Sequence, residues 1–332
     1  MNEKIVNEIV WWIPIKKLRN NIRNYLLNEC KYKNEIKEYI IKNNKELNEI
    51  KEYIKYLNKD PFNNNIGYDF NKAINGWSNP PVDDIGYLPS KEILNKDYNY
   101  IKEFVNKFEN TRYSLDGWRN ENNKWRDYLG LDNTNNKHII DFGCGYGIEA
   151  LQFLKKGNKV SIADISQDNL NAAEKIINVM GYKIEQKILV SNDYPFFSSN
   201  KVDIFYSNGV LHHTPKIIEI LSRATDILND NGEIRLMLYS DKAWTIKTNS
   251  KLPSIYEDVR LNENFNLFVK RMDGVGEYAN WFNEEKIQYL ISKINEKLVN
   301  KTKLILDSYK YICKDDIYCV VIIKRAEQSR LK

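Results

Sequence analysis

An open α/β fold with a mainly parallel sheet is predicted by three observations. Apolar runs that suit buried strands end in an acid or an amide: His138-Ile139-Ile140-Asp141-Phe142, Lys159-Val160-Ser161-Ile162-Ala163-Asp164 and Ile188-Leu189-Val190-Ser191-Asn192-Asp193. The first run enters Gly143-Cys144-Gly145-Tyr146-Gly147, with glycine at every second position, and a helix is predicted next over 148–156. Asp141 and Asp164 then close consecutive strands at the carboxyl edge of the sheet, where open α/β folds bind ligands. At 332 residues the chain can hold one sizeable domain and an appendage.

Each element has a physical reason. Glycines let the backbone turn sharply and approach a ligand where a side chain would collide. The helix after them presents free N–H groups and a positive dipole end to that ligand. An acid about 20 residues after the first glycine suits the two ribose hydroxyls of a nucleoside. The spacing is G-x-G-x-G, without the G-x-x-G arm that packs the helix in dinucleotide folds.

With an acid before G-x-G-x-G and a second acid at the end of strand two, the chain resembles the class I S-adenosylmethionine (SAM) methyltransferases. The stretch Val202-Asp203-Ile204-Phe205-Tyr206-Ser207-Asn208-Gly209-Val210-Leu211-His212-His213-Thr214-Pro215 adds to the likeness. It looks like the fourth strand and V-L-H-H-T-P loop of a methyltransferase group acting on small molecules, lipids and sugars. A helix over 216–228, a turn over 229–232 and a strand over 233–239 follow in that family's order. Two apolar runs, 303–311 and 317–324, would be the closing antiparallel hairpin. The resemblance spans roughly residues 100 to 325. It implies a Rossmann-like class I methyltransferase fold: a mainly parallel seven-stranded sheet with a C-terminal antiparallel hairpin. It also implies SAM as cofactor, held by Asp141, Phe142, Gly143, Cys144, Gly145, Tyr146, Gly147, Asp164, Ile165, Asn192, Asp193, Asn208 and Gly209. Asp193 would hold the adenine amino group.

Composition narrows the partners. Residues 1–60 carry 13 Lys and Arg against 9 Asp and Glu, a net +4 of the chain's formal +5. The remainder is therefore almost neutral. It has no lysine/arginine stripe interleaved with aromatics, so no nucleic-acid partner is expected. Asn79-Pro80-Pro81-Val82 imitates the N-P-P-aromatic motif of enzymes that methylate nucleic-acid amines, but its fourth residue is not aromatic and no strand precedes it. Cys30, Cys144, Cys313 and Cys319 form no C-x-x-C pair, which suggests neither a metal site nor a disulfide framework and fits a reducing cytosol. No segment reaches the roughly 18 apolar residues needed to span a bilayer. Residues 1–7 carry acids and lack a small-residue cleavage site, so no signal peptide is expected.

Three regions are expected: a basic helical N-terminal appendage over 1–60, a linker or cap over 61–100, and the methyltransferase domain over 101–328. Trp11 and Trp12 beside Lys16, Lys17, Arg19 and Arg23 suit a membrane interface, and equally suit packing under the domain. Residues 9–23 would thus hold a cytoplasmic enzyme at the inner membrane face. This segment also resembles the N-termini of bacterial enzymes that make capsules and lipopolysaccharides. Ile36, Ile40, Asn43, Leu47, Ile50, Ile54 and Leu57 step by 4 and 3, a seam for a homo-oligomer through 36–57 or for packing within the chain. The stretch 67–89, rich in Gly and Pro, reads as a linker or a loop over the cofactor.

A sugar hydroxyl has a high pKa, so its methylation benefits from a base. His212 and His213, two of only three histidines, sit at the end of the fourth strand and are the candidates; either also suits a purely structural role in the loop. For the acceptor, one pocket segment precedes the glycine motif, with Arg112, Tyr113, Trp118, Trp125 and Arg126. The other is an insertion over 241–300, with Arg271 and Tyr278 beside Asp273-Gly274-Val275-Gly276. Tyr, Trp and Arg suit stacking on a sugar and clamping an anion, although aromatics of an insertion also form cores of their own. The function read from the sequence is O-methylation of a sugar or sugar-linked surface-polysaccharide precursor. The alternatives are a lipid, quinone or small-metabolite methyltransferase and a non-catalytic SAM-binding scaffold.

Overall fold

A computed structural model describes residues 16–27, 61–62, 68–79, 88–114, 124–191, 201–272, 277–298 and 303–326. The chain divides into two compact units, Met1–Pro61 and Phe62–Lys332. In the first, α1 (Lys16–Leu27) is a helix free of acids. The seam over 36–57 and the tryptophans Trp11 and Trp12 lie outside the described residues. Among the described residues no helix is long and apolar enough to cross a membrane.

The second unit is built on one seven-stranded sheet of order β3-β2-β1-β4-β5-β7-β6. The strands are β1 (His138–Phe142), β2 (Lys159–Asp164), β3 (Lys187–Leu189), β4 (Val202–Asn208), β5 (Leu228–Tyr239), β6 (Leu304–Ile312) and β7 (Tyr318–Arg325). The pairings from β3 through β5 are parallel, and β7 runs antiparallel to both β5 and β6. This is the expected Rossmann-like arrangement, a mainly parallel seven-stranded sheet closed by a C-terminal antiparallel hairpin. Strand order reverses beside β1, so Asp141, Asp164 and Asn208 gather at one edge, at the switch point where such sheets bind ligands.

Helices cover both faces. On one face α8 (Ile217–Ile227) and α11 (Glu284–Lys297) bury isoleucines and leucines against β4, β5 and β7. On the other lie α3 (Ser90–Leu94), α4 (Tyr98–Arg112), α5 (Lys124–Leu129), α6 (Ile148–Lys155) and α7 (Gln167–Val179). Side-chain caps explain several starts: Asp97 for α4, Ser166 for α7 and Asn283 for α11 each accept a first-turn N–H. α6 follows Gly147, which has no side chain to cap it, so the amides of its first turn need acceptors from elsewhere.

Two expectations need correction. Within 67–89 the chain builds a helix, α2 (Phe70–Ser78), because Asp69 caps it through the amides of Asn71 and Lys72. Within 241–300, α11 covers the sheet, whereas α9 (Asp241–Thr248), α10 (Phe265–Met272) and the segment 277–282 form a separate aromatic cluster around Trp244, Phe268 and Trp281. The expected turn over 229–232 is taken into β5 instead, where the ladder with β4 is interrupted: pairing passes from Val202–Leu228 to Ile204–Glu233.

Phe205, fully buried in β4, packs 5.4 Å from the Phe142 ring between the central strands. Phe205→Ala should cost about 3–5 kcal/mol in urea unfolding; a loss under about 1 kcal/mol would contradict the close packing described for this face.

Candidate functional site

The glycine turn between β1 and α6 is fixed by contacts that exclude other residues. Gly143 has φ +77°, and a Cβ there would lie 2.4 Å from a Val210 methyl carbon. Its amide and that of Cys144 both donate to the Ala163 carbonyl, at 2.7 and 3.2 Å, tying the turn to β2. Gly145 has φ +51° with nothing within 4 Å of a Cβ, because it faces a cavity.

Asp164 locks this geometry from the end of β2. Its Oδ2 accepts the Gly145 amide at 3.0 Å, and its Oδ1 accepts the Ser166 amide at 2.8 Å and Asn169 Nδ2 at 3.1 Å. Burial pushes its pKa up to about 6, against the pull of these donors. Asp141 sits behind the turn, where the Ala150 amide of α6 donates to it and its Oδ2 is buried with no hydrogen-bond partner. Burial, with Glu149 and Asp164 nearby, holds its carboxyl well above the usual range. Glu149, in the first turn of α6, accepts Asn208 Nδ2 at 3.0 Å, and Asn208 Oδ1 receives Trp125 Nε1 at 3.4 Å.

The cavity encloses about 220 Å³. Of the predicted cofactor residues, Phe142, Gly143, Cys144, Gly145, Tyr146, Asp164, Ile165, Asn208 and Gly209 line it. Asp141 and Gly147 do not line it: Asp141 is buried, and Gly147 lies against Ala173 of α7, where a Cβ would come within 2.8 Å. Asn192 and Asp193 lie outside the described residues, as do Trp118 and residues 273–276. Trp77 of α2, Tyr68 and Phe108 add aromatic rings to the lining, and Arg112 is the one lysine or arginine among the described lining residues. The Arg112 guanidinium lies over the Phe108 ring at 4.5 Å.

His213 lines the cavity, and His212 does not. His213 Nδ1 lies 3.1 Å from the Tyr278 carbonyl, so the proton is on Nδ1; Nε2 is 3.1 Å from the Tyr239 hydroxyl. The Trp77 ring packs on it at 4.5 Å. His212 is stacked on Tyr239 at 3.6 Å and accepts the Tyr239 amide at Nδ1, which assigns it the opposite tautomer.

Three predicted acceptor residues do not reach this wall. Tyr113 packs between Phe108 and Trp125. Arg271 donates to the Lys247 carbonyl at 2.8 Å, in the last turn of α9. Tyr278 is buried, with its hydroxyl accepting from Asn280. Trp125 and Arg126 also serve the scaffold: Trp125 orients Asn208, and Arg126 pairs with Asp132. The sequence reading missed Trp77, Tyr68, Phe108, Ser90, Glu149 and Asn169 as lining residues. For Trp77 a signal existed, since Asp69 before a helical pattern marks an N-terminus.

Residues 140–234 match a family model described as a methyltransferase domain. A tRNA U34 carboxymethyltransferase of Nautilia profundicola is 31% identical over 121 residues, 34% of this chain and 40% of that protein. A ribosomal protein L11 methyltransferase of Shewanella woodyi is 35% identical over 86 residues, 26% of this chain and 28% of that one. The chain thus spans well under half the length of these relatives. Among solved structures, an S-adenosylmethionine-dependent methyltransferase of Mesorhizobium loti aligns with a TM-score of 0.46 and 15% identity, covering 64% of this chain and all of that one. The likeness to methyltransferases is thus carried by residues 140–234, which hold β1, the glycine turn and the strands through the start of β5.

The raised pKa of Asp164 has a consequence for ligand binding. A ribose hydroxyl donates best to a carboxylate, so affinity for S-adenosylhomocysteine, the demethylated product of SAM, should be full above about pH 6. It should fall by up to about tenfold per unit below that, and Asp164→Asn should flatten the dependence. Titration calorimetry from about pH 5 to 8 reads this; a wild-type affinity unchanged across the range would contradict it.

Proposed function

We propose that this chain uses SAM to methylate a hydroxyl of a small polar acceptor, a sugar or sugar-linked precursor of a surface polysaccharide. One observation carries the reading: a single cavity brings His213 and Trp77 to the same space as Gly145, Glu149 and Asp164. The donor set suits SAM. Asp164 fits the ribose hydroxyls, Glu149 fits positive charge, and Arg112 fits a carboxylate. Bound SAM supplies a methyl group on a positively charged sulfur.

The chain's own part is to position, exclude water and manage one proton. Val210, Ile220, Trp77 and Phe108 keep the reacting space apolar. Trp77 and Tyr68 offer flat faces to the C–H side of a sugar ring. His213 holds its Nδ1 proton on the Tyr278 carbonyl, which leaves Nε2 to accept. Taking an acceptor proton there requires exchange of its contact with Tyr239, and His212 stacked behind that tyrosine supports the arrangement. The acid-free α1 with Lys16, Lys17, Arg19 and Arg23 supports an additional attraction to an anionic membrane face.

Screening nucleotide-sugars, phosphorylated sugars, lipids and RNA for release of S-adenosylhomocysteine tests the acceptor. Turnover with a sugar is the expected result. Turnover with RNA alone would move the assignment toward the tRNA-modifying relative, and product binding without turnover on any acceptor would favour the scaffold reading. With a hydroxyl acceptor, His213→Ala should lower turnover about 10²–10⁴-fold while product affinity stays near wild type. Unchanged turnover would remove His213 from the mechanism.

A further inference from the structure

Beneath the His212–His213 loop lies a buried polar cluster that does not touch the cavity. Asn280 is 1% exposed, and its amide and both polar atoms of its side chain are engaged. Its amide donates to the His212 carbonyl at 2.8 Å, and its Nδ2 donates to the Tyr278 hydroxyl at 3.0 Å. Its Oδ1 accepts both the Trp281 amide at 2.9 Å and Lys286 Nζ at 2.8 Å. Two residues earlier, the Tyr278 carbonyl accepts the His213 imidazole. The segment from Tyr278 to Asn280 therefore clasps the loop twice, at the backbone of His212 and at the ring of His213.

Lys286 is the anchor of this clasp, and stability alone does not account for it. It is 0% exposed in the first turn of α11, where the helix dipole disfavours a cation. Its Nζ lies over the Trp281 ring at 4.0 Å and the Phe282 ring at 5.7 Å. Burial pushes its pKa down to about 7, against the upward pull of Asp258 and Glu257. Asp258 is itself paired with Arg260 at 2.5 Å. Buried ionic groups are often replaceable by apolar residues at little cost in stability, and in some proteins they serve to specify one arrangement.

We infer that Asn280 and Lys286 are positioning residues: they fix the Tyr278 carbonyl, and through it the Nδ1–H tautomer and orientation of His213 at the cavity wall. The inference rests on the reading of the cavity as the methyl-transfer site. The arrangement leaves Nε2 as the only ring atom able to accept a proton. Without the clasp the ring is free to turn and to exchange tautomers.

The chain has three histidines, so histidine-labelled protein gives a readable 15N spectrum. His138 also has Nδ1 facing a carbonyl, that of Lys201, and His138→Ala assigns its signals. Wild type should show His213 as the Nδ1–H form and His212 as the Nε2–H form. Lys286→Met keeps side-chain length and leaves Asn280 Oδ1 with the Trp281 amide; Asn280→Asp keeps the Lys286 contact and removes the donor to Tyr278. Both variants should melt near wild type and bind S-adenosylhomocysteine within about threefold, while the His213 signals move toward a tautomer mixture. Either variant folded with unchanged His213 signals overturns the inference, and so does a wild-type His213 in the Nε2–H form. A wild type that binds no S-adenosylhomocysteine but shows the tautomer shift in the variants overturns the methyl-transfer reading and leaves the positioning supported.

Discussion

A carboxylate buried at the end of β2 has to find donors, and Asp164 finds them in the glycine turn and at the start of α7. The constraint organises the whole site. Holding the Gly145 amide fixes the turn after β1, and the turn in turn sets where α6 begins. Holding Asn169 extends the order outward, because Asn169 Nδ2 also reaches the Trp77 carbonyl at 3.3 Å and its Oδ1 accepts from Ser90 at 2.6 Å. The helix α2 that walls the cavity is thus tied to the same acid that lines it at the end of β2. Its neighbour Ser78 adds a hydroxyl contact with Ser166 at 2.6 Å.

The charge arrangement follows from that geometry. Three acids, Asp141, Glu149 and Asp164, surround one turn, and burial holds Asp141 and Asp164 above the ordinary carboxylate range. Such a site is uncomfortable alone and suits a ligand that brings positive charge and hydroxyl donors. The nearest buried cation on the wall, Arg112, sits on an aromatic face, which suits an anionic end of the same ligand.

What was legible in the sequence was local. The alternation of buried strands and the spacing of Gly143, Gly145 and Gly147 placed β1, β2 and the turn within a residue of their positions, since these depend on short-range pattern. What was not legible depends on tertiary partners. His212 and His213 are adjacent in sequence, and only the fold decides which ring meets the cavity and which stacks on Tyr239. Arg271 and Tyr278 read as acceptor residues by type, yet the last turn of α9 and Asn280 engage them. Glu149 reads as an ordinary helix-start acid, and its role on the wall emerges only from the approach of Asn208. Trp77 was hidden because Gly and Pro in its neighbourhood argued for a loop, whereas one capping aspartate outweighed them.

The central claim is that this cavity binds SAM through Asp164. Its most direct test is a calorimetric titration of SAM and of S-adenosylhomocysteine into wild type and into Asp164→Ala. The account predicts binding in roughly the micromolar range for wild type and loss of it in the folded variant. Absence of binding to either compound, or equal affinity in the variant, would contradict the account and leave the glycine turn to be explained by a different nucleotide.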